Sequence, residues 1–343
     1  MGNTIYPWQG AAWEQLQQLR ARMPHAILFH GEAGTGKADF IEAFAQSLLC
    51  ENVQPGGHAC GSCGSCGWFS QQNHPDYRRV RPEALEDEPP EGEEGAETEG
   101  KKAKSTKAPS KEIKIEQVRA LADFMNISTH RQGLRVVVVY PAEALNTPAS
   151  NALLKTLEEP PPGTVFLLSS NSLDRLLPTI LSRCRKFALP MPDQGQALAW
   201  LKEQGLADAE AWLKEQGGAP LAALAQSEAG GREDLEALLH LLANPSIDGA
   251  LKAADKLSKA PLAMLVAWQQ RWLYDVFSYK LSGSIRYYPR YKKELAALAA
   301  RVQTASLMRA IKGANERRAV ADHPLSPKLF VEDMLLDYTA CCT

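Results

Sequence analysis

The stretch AILFHGEAGTGKA, Ala26 to Ala38, joins an apolar run to a glycine-rich loop and then to the start of a helical pattern. A loop of the form G-x-x-x-x-G-K-[S/T] at such a junction wraps backbone N–H groups around phosphates. Its lysine goes to the terminal phosphates, and its final hydroxyl holds Mg²⁺. Gly31, Gly34, Gly36 and Lys37 supply the phosphate-cradling part, but Ala38 stands where the hydroxyl belongs. The strand–loop–helix setting argues against a mere glycine-rich turn. It leaves two readings: a nucleotide site without normal metal handling, or a loop inherited from an ATPase and put to another use.

Outward from the loop the pattern alternates. AILFH (26–30), YRRVR (77–81), RVVVVY (135–140) and TVFLLSS (164–170) are short apolar or β-branched runs. Helix-like segments separate them: KADFIEAFAQSLLC, IEQVRALADFMNIS and PASNALLKTLEE. Continuous valine runs bounded by turns suit strands buried on both faces, so residues 1–186 are expected to form an α/β domain, a parallel sheet covered by helices. Past RKFALPMP the strand signal stops. Residues 187–232 hold short helical pieces broken by EQGGAP, a small second unit, and residues 233–343 hold long helical patterns, including LAMLVAWQQRWLYDVFSYKL and ELAALAARVQTASLMRAIKGANERRAV, an all-α third domain.

Hydrolysis by such a loop also needs an acidic residue at the end of a second apolar strand, to hold Mg²⁺. VVVVYPAEAL (136–145) has the right length and position, yet Tyr140 and Pro141 occupy the places of the acids. Glu143 follows at an offset expected to point its side chain elsewhere. Two independent metal contacts are therefore missing from one site, which argues that Mg²⁺-dependent turnover is lost. Nucleotide binding without turnover stays open, since Lys37 can still attract phosphate.

Cys50, Cys60, Cys63 and Cys66 form C-x9-C-x2-C-x2-C with intervening glycines, a donor set for a tetrahedral structural Zn²⁺. An iron–sulfur cluster is the lesser alternative, because no proline follows the last cysteine. His58 and His74 read as ordinary polar residues beside a complete set of four ligands. A nucleic-acid-binding ribbon is disfavoured, because no lysine or arginine lies between Cys50 and Cys66. Residues 83–111 carry nine acids and five lysines, net −4, against −2 for the whole chain, so the remainder is +2. With one leucine and no aromatic residue, 83–112 is expected to be a disordered charged insertion. No apolar run is long enough to span a bilayer, and MGNTIYPWQG lacks a signal-peptide pattern; the expected compartment is the cytoplasm, with no membrane partner.

YPWQ near the start, the cysteine cluster before HPDY, NALLKTLEEPP and ILSRCR occur here in order. Together they resemble the delta prime family of clamp-loader subunits of bacterial DNA polymerase III, across all three expected domains. The resemblance implies an AAA+ module with a small helical lid and a helical collar, in a ring with delta and gamma/tau subunits that loads the beta sliding clamp onto primer-template DNA. It implies that Arg183 of the Ser182-Arg183-Cys184 motif serves as an arginine finger in trans, reaching ATP on a neighbouring motor subunit, while this chain is a stator that does not hydrolyse ATP. Many relatives have lost the loop lysine that survives here as Lys37, and Pro220 stands where motor subunits carry a γ-phosphate-sensing arginine. The alternative is an active gamma/tau-like ATPase subunit that uses Glu143.

Overall fold

The computed structural model describes residues 5–86, 109–126, 129–130, 133–321 and 326–342. It forms two compact units, Met1–Asp193 and Gln194–Thr343.

In the first unit, β1 (Ala26–His30), β2 (Tyr77–Val80), β3 (Arg135–Val139), β4 (Thr164–Ser170) and β5 (Arg185–Ala188) make one sheet in the order β2-β3-β4-β1-β5, every pair parallel. Side chains alternate across a strand, so each strand feeds two cores. Ile27, Phe29, Val136, Val138, Val165 and Leu167 pack under α1 (Gly10–Leu19), α2 (Lys37–Leu49) and α3 (Gly64–Ser70). Ala26, Leu28, Val137, Val139, Phe166 and Leu168 pack under α4 (Ile115–Asn126), α5 (Thr147–Glu158) and α6 (Pro178–Arg183). Burial on both faces explains why β3 and β4 read as unbroken apolar runs.

β5 lies outside the four apolar runs of the sequence. It is an edge strand with one buried side chain, Phe187, among exposed Arg185, Lys186 and Ala188, so it carries no apolar run. The charged span 83–112 also differs from expectation at its ends. Glu83–Leu85 form a 3₁₀ turn, and the Glu83 carboxylate accepts from the Lys114 ammonium at 2.7 Å and from the Ser110 amide at 3.1 Å. Residues 87–108 of that span lie outside the described residues.

The second unit is helical: α7 (Gln194–Glu203), α8 (Ala209–Glu215), α9 (Pro220–Ala229), α10 (Arg232–Ala243), α11 (Ile247–Leu257), α12 (Leu262–Ser282), α13 (Lys292–Arg301), α14 (Thr304–Val320) and α15 (Pro327–Cys342). One small cluster gathers Ala197, Leu201, Ala209, Leu213 and Ala223, and a larger one forms around Trp268 and Trp272 of α12. The pattern over 294–320 is two helices, not one. It breaks at Val302–Gln303, where Val302 turns extended and tucks into the core. Among the described residues no helix is long and apolar enough to cross a membrane.

Candidate functional site

The glycine loop leaves the carboxyl end of β1 and enters α2 at Lys37, with Gly36 as the N-cap in a left-handed conformation, φ 83°. Neighbours enforce the glycines. A Cβ at Gly31 would lie 2.2 Å from the Leu189 carbonyl oxygen, and one at Gly36 would lie 2.5 Å from the Tyr6 ring. The Tyr6–Gln9 segment closes over the loop. The Gln9 amide donates to the Thr35 and Gly36 carbonyls at 3.1 and 2.9 Å, and the Trp8 indole donates to the Thr35 carbonyl at 3.0 Å. The Tyr6 hydroxyl donates to Asp39 at 3.0 Å.

Lys37 is buried, and its ammonium donates to the backbone carbonyl of Glu32 in its own loop. Burial pulls its pKa down to about 8, against the opposing charges of Glu143 and Glu32. Tyr140 follows β3 directly, and its hydroxyl accepts from Arg81 at 3.4 Å, so position 140 presents no carboxylate. Glu143 corrects an expectation. It does not turn away: it sits within electrostatic reach of Lys37, while one carboxylate oxygen accepts from the Asn171 amide at 3.0 Å.

The cysteines converge at the opposite end of α2. A helix of 13 residues spans roughly 20 Å, which separates them from the phosphate loop. Cys50 caps the carboxyl end of α2, and Cys63 caps the amino end of α3, its sulfur accepting from the Cys66 amide at 3.4 Å. Their four sulfurs lie within 4.8 Å of one another, with Cys50–Cys63 and Cys60–Cys66 both at 4.0 Å. A tetrahedral Zn–S shell has an S–S edge of about 3.8 Å, from the usual bond length of about 2.3 Å, so the four thiols are placed to hold such an ion. Backbone amides of Cys60 and Cys63 point at the sulfurs of Cys50 and Cys60, at 3.2 and 3.3 Å, and favour thiolate. Amides of Ser62 and Cys63 bring the Cys60 thiol down to about 6, while burial pushes Cys50 and Cys66 up.

Among the described residues neither histidine joins the cluster of four candidate ligands, and each makes contacts that tie the cysteine segment to its surroundings. His74 is buried, shares a 2.7 Å hydrogen bond with Ser65, and accepts from the Asp76 amide; Ser65 in turn donates to the Leu49 carbonyl. This chain of bonds pins α3 to the end of α2. His58 stacks on Trp13 at 4.8 Å, and the Trp13 indole donates to the Gly56 carbonyl at 2.8 Å, docking the cysteine loop on α1. The Trp13–His58 stack joins residues distant in sequence, which is why spacing did not reveal it.

Arg183 closes α6. Its guanidinium donates to the Thr179 carbonyl at 3.0 Å and to the Glu158 carboxylate, with Ser182 Oγ at 3.4 Å. Cys184 is buried against the helix layer, which pushes its thiol up to about 11. Pro220 is the first residue of α9, where a missing N–H costs nothing.

A five-stranded parallel sheet in this order, with a glycine loop running from β1, between β4 and β5, into α2, defines an AAA+-like module. A family profile described as "DNA polymerase III, delta subunit" matches residues 8–193. The delta prime subunit of DNA polymerase III from Pseudomonas aeruginosa is 37% identical over 81% of this chain and 79% of its own length. The delta prime subunits of Escherichia coli and Haemophilus influenzae are 34% and 32% identical over 58% and 60% of this chain, and the match spans only 53% and 55% of their lengths. The chain belongs to the delta prime family of DNA polymerase III subunits. Among solved structures, a gamma subunit-related protein from Thermotoga maritima aligns over 97% of this chain and 100% of its own, at 17% identity and a TM-score of 0.42. The clamp loader delta protein of Bacillus subtilis aligns over 96% of this chain and 99% of its own, at 12% identity and a TM-score of 0.32.

Proposed function

We propose that this chain is the ATPase-inactive stator of a clamp loader, working with delta and gamma/tau subunits to place the sliding clamp on primer-template DNA, and that it contributes Arg183 to ATP held by a neighbour. The observation that carries the reading is the double loss at one site: Ala38 offers no hydroxyl, and Tyr140 offers a phenol already used by Arg81. A guanidinium is permanently charged, offers a planar fork of donors, and stabilises the charge that develops on a transferring phosphoryl group. Gly31, Gly34, Gly36 and Lys37 remain as a relic cradle, and Cys50, Cys60, Cys63 and Cys66 hold a structural Zn²⁺ that leaves no position open for substrate. The division into a nucleotide-binding-like domain (1–186), a lid (187–232) and a collar (233–343) belongs to the same proposal.

An active gamma/tau-like subunit is the second reading, favoured by the reach of Glu143 to Lys37. Against it, the Glu143 carboxylate already binds the Asn171 amide, and Ala38 cannot ligate a metal. The test is direct. In the reconstituted complex, Arg183→Ala depresses clamp- and DNA-stimulated turnover at the neighbouring site by about a thousandfold and leaves assembly intact. The isolated chain shows no Mg²⁺-dependent ATPase; steady turnover abolished by Lys37→Ala would establish the second reading instead.

A further inference from the structure

Glu158 is an acid in an unfavourable place. It is the last residue of α5, where carbonyl dipoles disfavour a negative charge by about 0.3–1 kcal/mol. The other end of the same helix obeys the local rules: Asn146 caps it by accepting from the Ala149 amide at 2.9 Å, with Pro148 in the first turn. What compensates Glu158 is Arg183, 25 residues further along. Arg183 is itself the last residue of α6, and it spends one end of its fork on the carbonyl of Thr179 in its own helix. The guanidinium thus bridges two helix carboxyl termini, and the carboxylate selects where it points.

We propose that Glu158 is a positioning residue for Arg183: its carboxylate holds the guanidinium on this chain until a triphosphate bound to an adjoining subunit takes it over. This rests on the reading of Arg183 given above. The side chains are 32% and 48% exposed, and an ion pair this open to water is worth at most about 1 kcal/mol. That is enough to favour one orientation of a long side chain. It is also little enough for a triphosphate, with several negative charges, to displace. The carboxylate must withdraw as the phosphates arrive, since like charges repel at contact distance. The pair therefore lowers the apparent affinity for ATP by the fraction of arginine it keeps occupied.

The experiment uses the reconstituted complex carrying Glu158→Gln, with ATP titrated under clamp and primer-template stimulation. Releasing the arginine lowers the apparent KM by about two- to fivefold, the upper figure being that pair energy expressed as a ratio, with kcat unchanged. The same substitution in an Arg183→Ala complex leaves the KM unaltered, and the purified Glu158→Gln chain melts with the wild type. Should the KM stay put while Arg183→Ala still depresses turnover, Glu158 is a plain surface pair and only this inference falls. A drop in kcat would place Glu158 in the transition state and overturn the exchange. Wild-type turnover in Arg183→Ala would sink both.

Discussion

Lys37 is the residue on which the two histories of the loop meet. A working phosphate loop keeps its lysine charged and turned to the ligand, whereas here the ammonium is buried and bonded to Glu32 of the loop itself. The sign of the pH effect follows from its depressed pKa. Between about 8 and the ordinary 10.5 the unfolded chain binds a proton that the folded chain does not, so stability rises with pH across that window, and below about 8 the penalty is present in full. Lys37→Met removes the titrating group. In denaturant melts at a series of pH values, the wild type is expected to gain on the variant from about pH 8 upward and to hold a constant offset below it. A constant offset through the whole range would show that the lysine titrates in the folded chain as it does in the unfolded one. Nothing in the spelling of the loop foretold this geometry, because burial depends on Tyr6, Gln9 and Leu189, which reach Gly31, Thr35 and Gly36 only once the sheet is built.

Elements announced themselves in proportion to how evenly they are buried. β1, β3 and β4 are covered on both faces, so composition alone marks them, and α12 shows through its tryptophans. β5 contributes only Phe187 to the core, so its sequence resembles a loop. The break at Val302 was equally silent, since Leu295, Leu298, Val302 and Ala305 keep spacings of three and four residues across it and neither Gly nor Pro marks it. The cysteine spacing was the most legible part of the candidate site, because ligand spacing is local. The Glu158–Arg183 pair was not legible, because it joins the ends of two helices, separated in the chain by β4, that meet side by side on one face of the sheet.

Polar links between helices add a check on the second unit. The Trp272 indole of α12 donates to the Tyr338 hydroxyl of α15 at 2.8 Å, and that hydroxyl donates to the Leu242 carbonyl of α10 at 2.7 Å. Tyr338→Phe strands a buried donor and a buried acceptor at once. The expected cost is about 1–3 kcal/mol, measured as a lowered denaturant midpoint with an unchanged slope; a midpoint at the wild-type value would mean that the three helices hold by apolar packing alone.

At the scale of the whole molecule, the four thiols are placed to act as a staple within the first unit. A cross-link that closes a loop of about 15 residues is worth about 3 kcal/mol, and a Zn²⁺ held by Cys50 and Cys66 would close a similar span. Chelation, or Cys63→Ser, is therefore expected to lower the melting temperature of the first unit by about 6–12 °C while the second unit melts as before. Calorimetry of the intact chain resolves the two, and equal shifts in both would mean that the units unfold as one.

The stacking of His58 on Trp13 extends that staple to α1. An indole whose ring lies against an imidazole and whose N–H is tied to the same loop is a natural optical probe of that loop's state. Comparing the emission of the wild type with that of Trp13→Phe isolates its signal from the other tryptophans. Stripping the ion should then redden and reshape that difference spectrum, giving a colour readout of metal loading with no label attached.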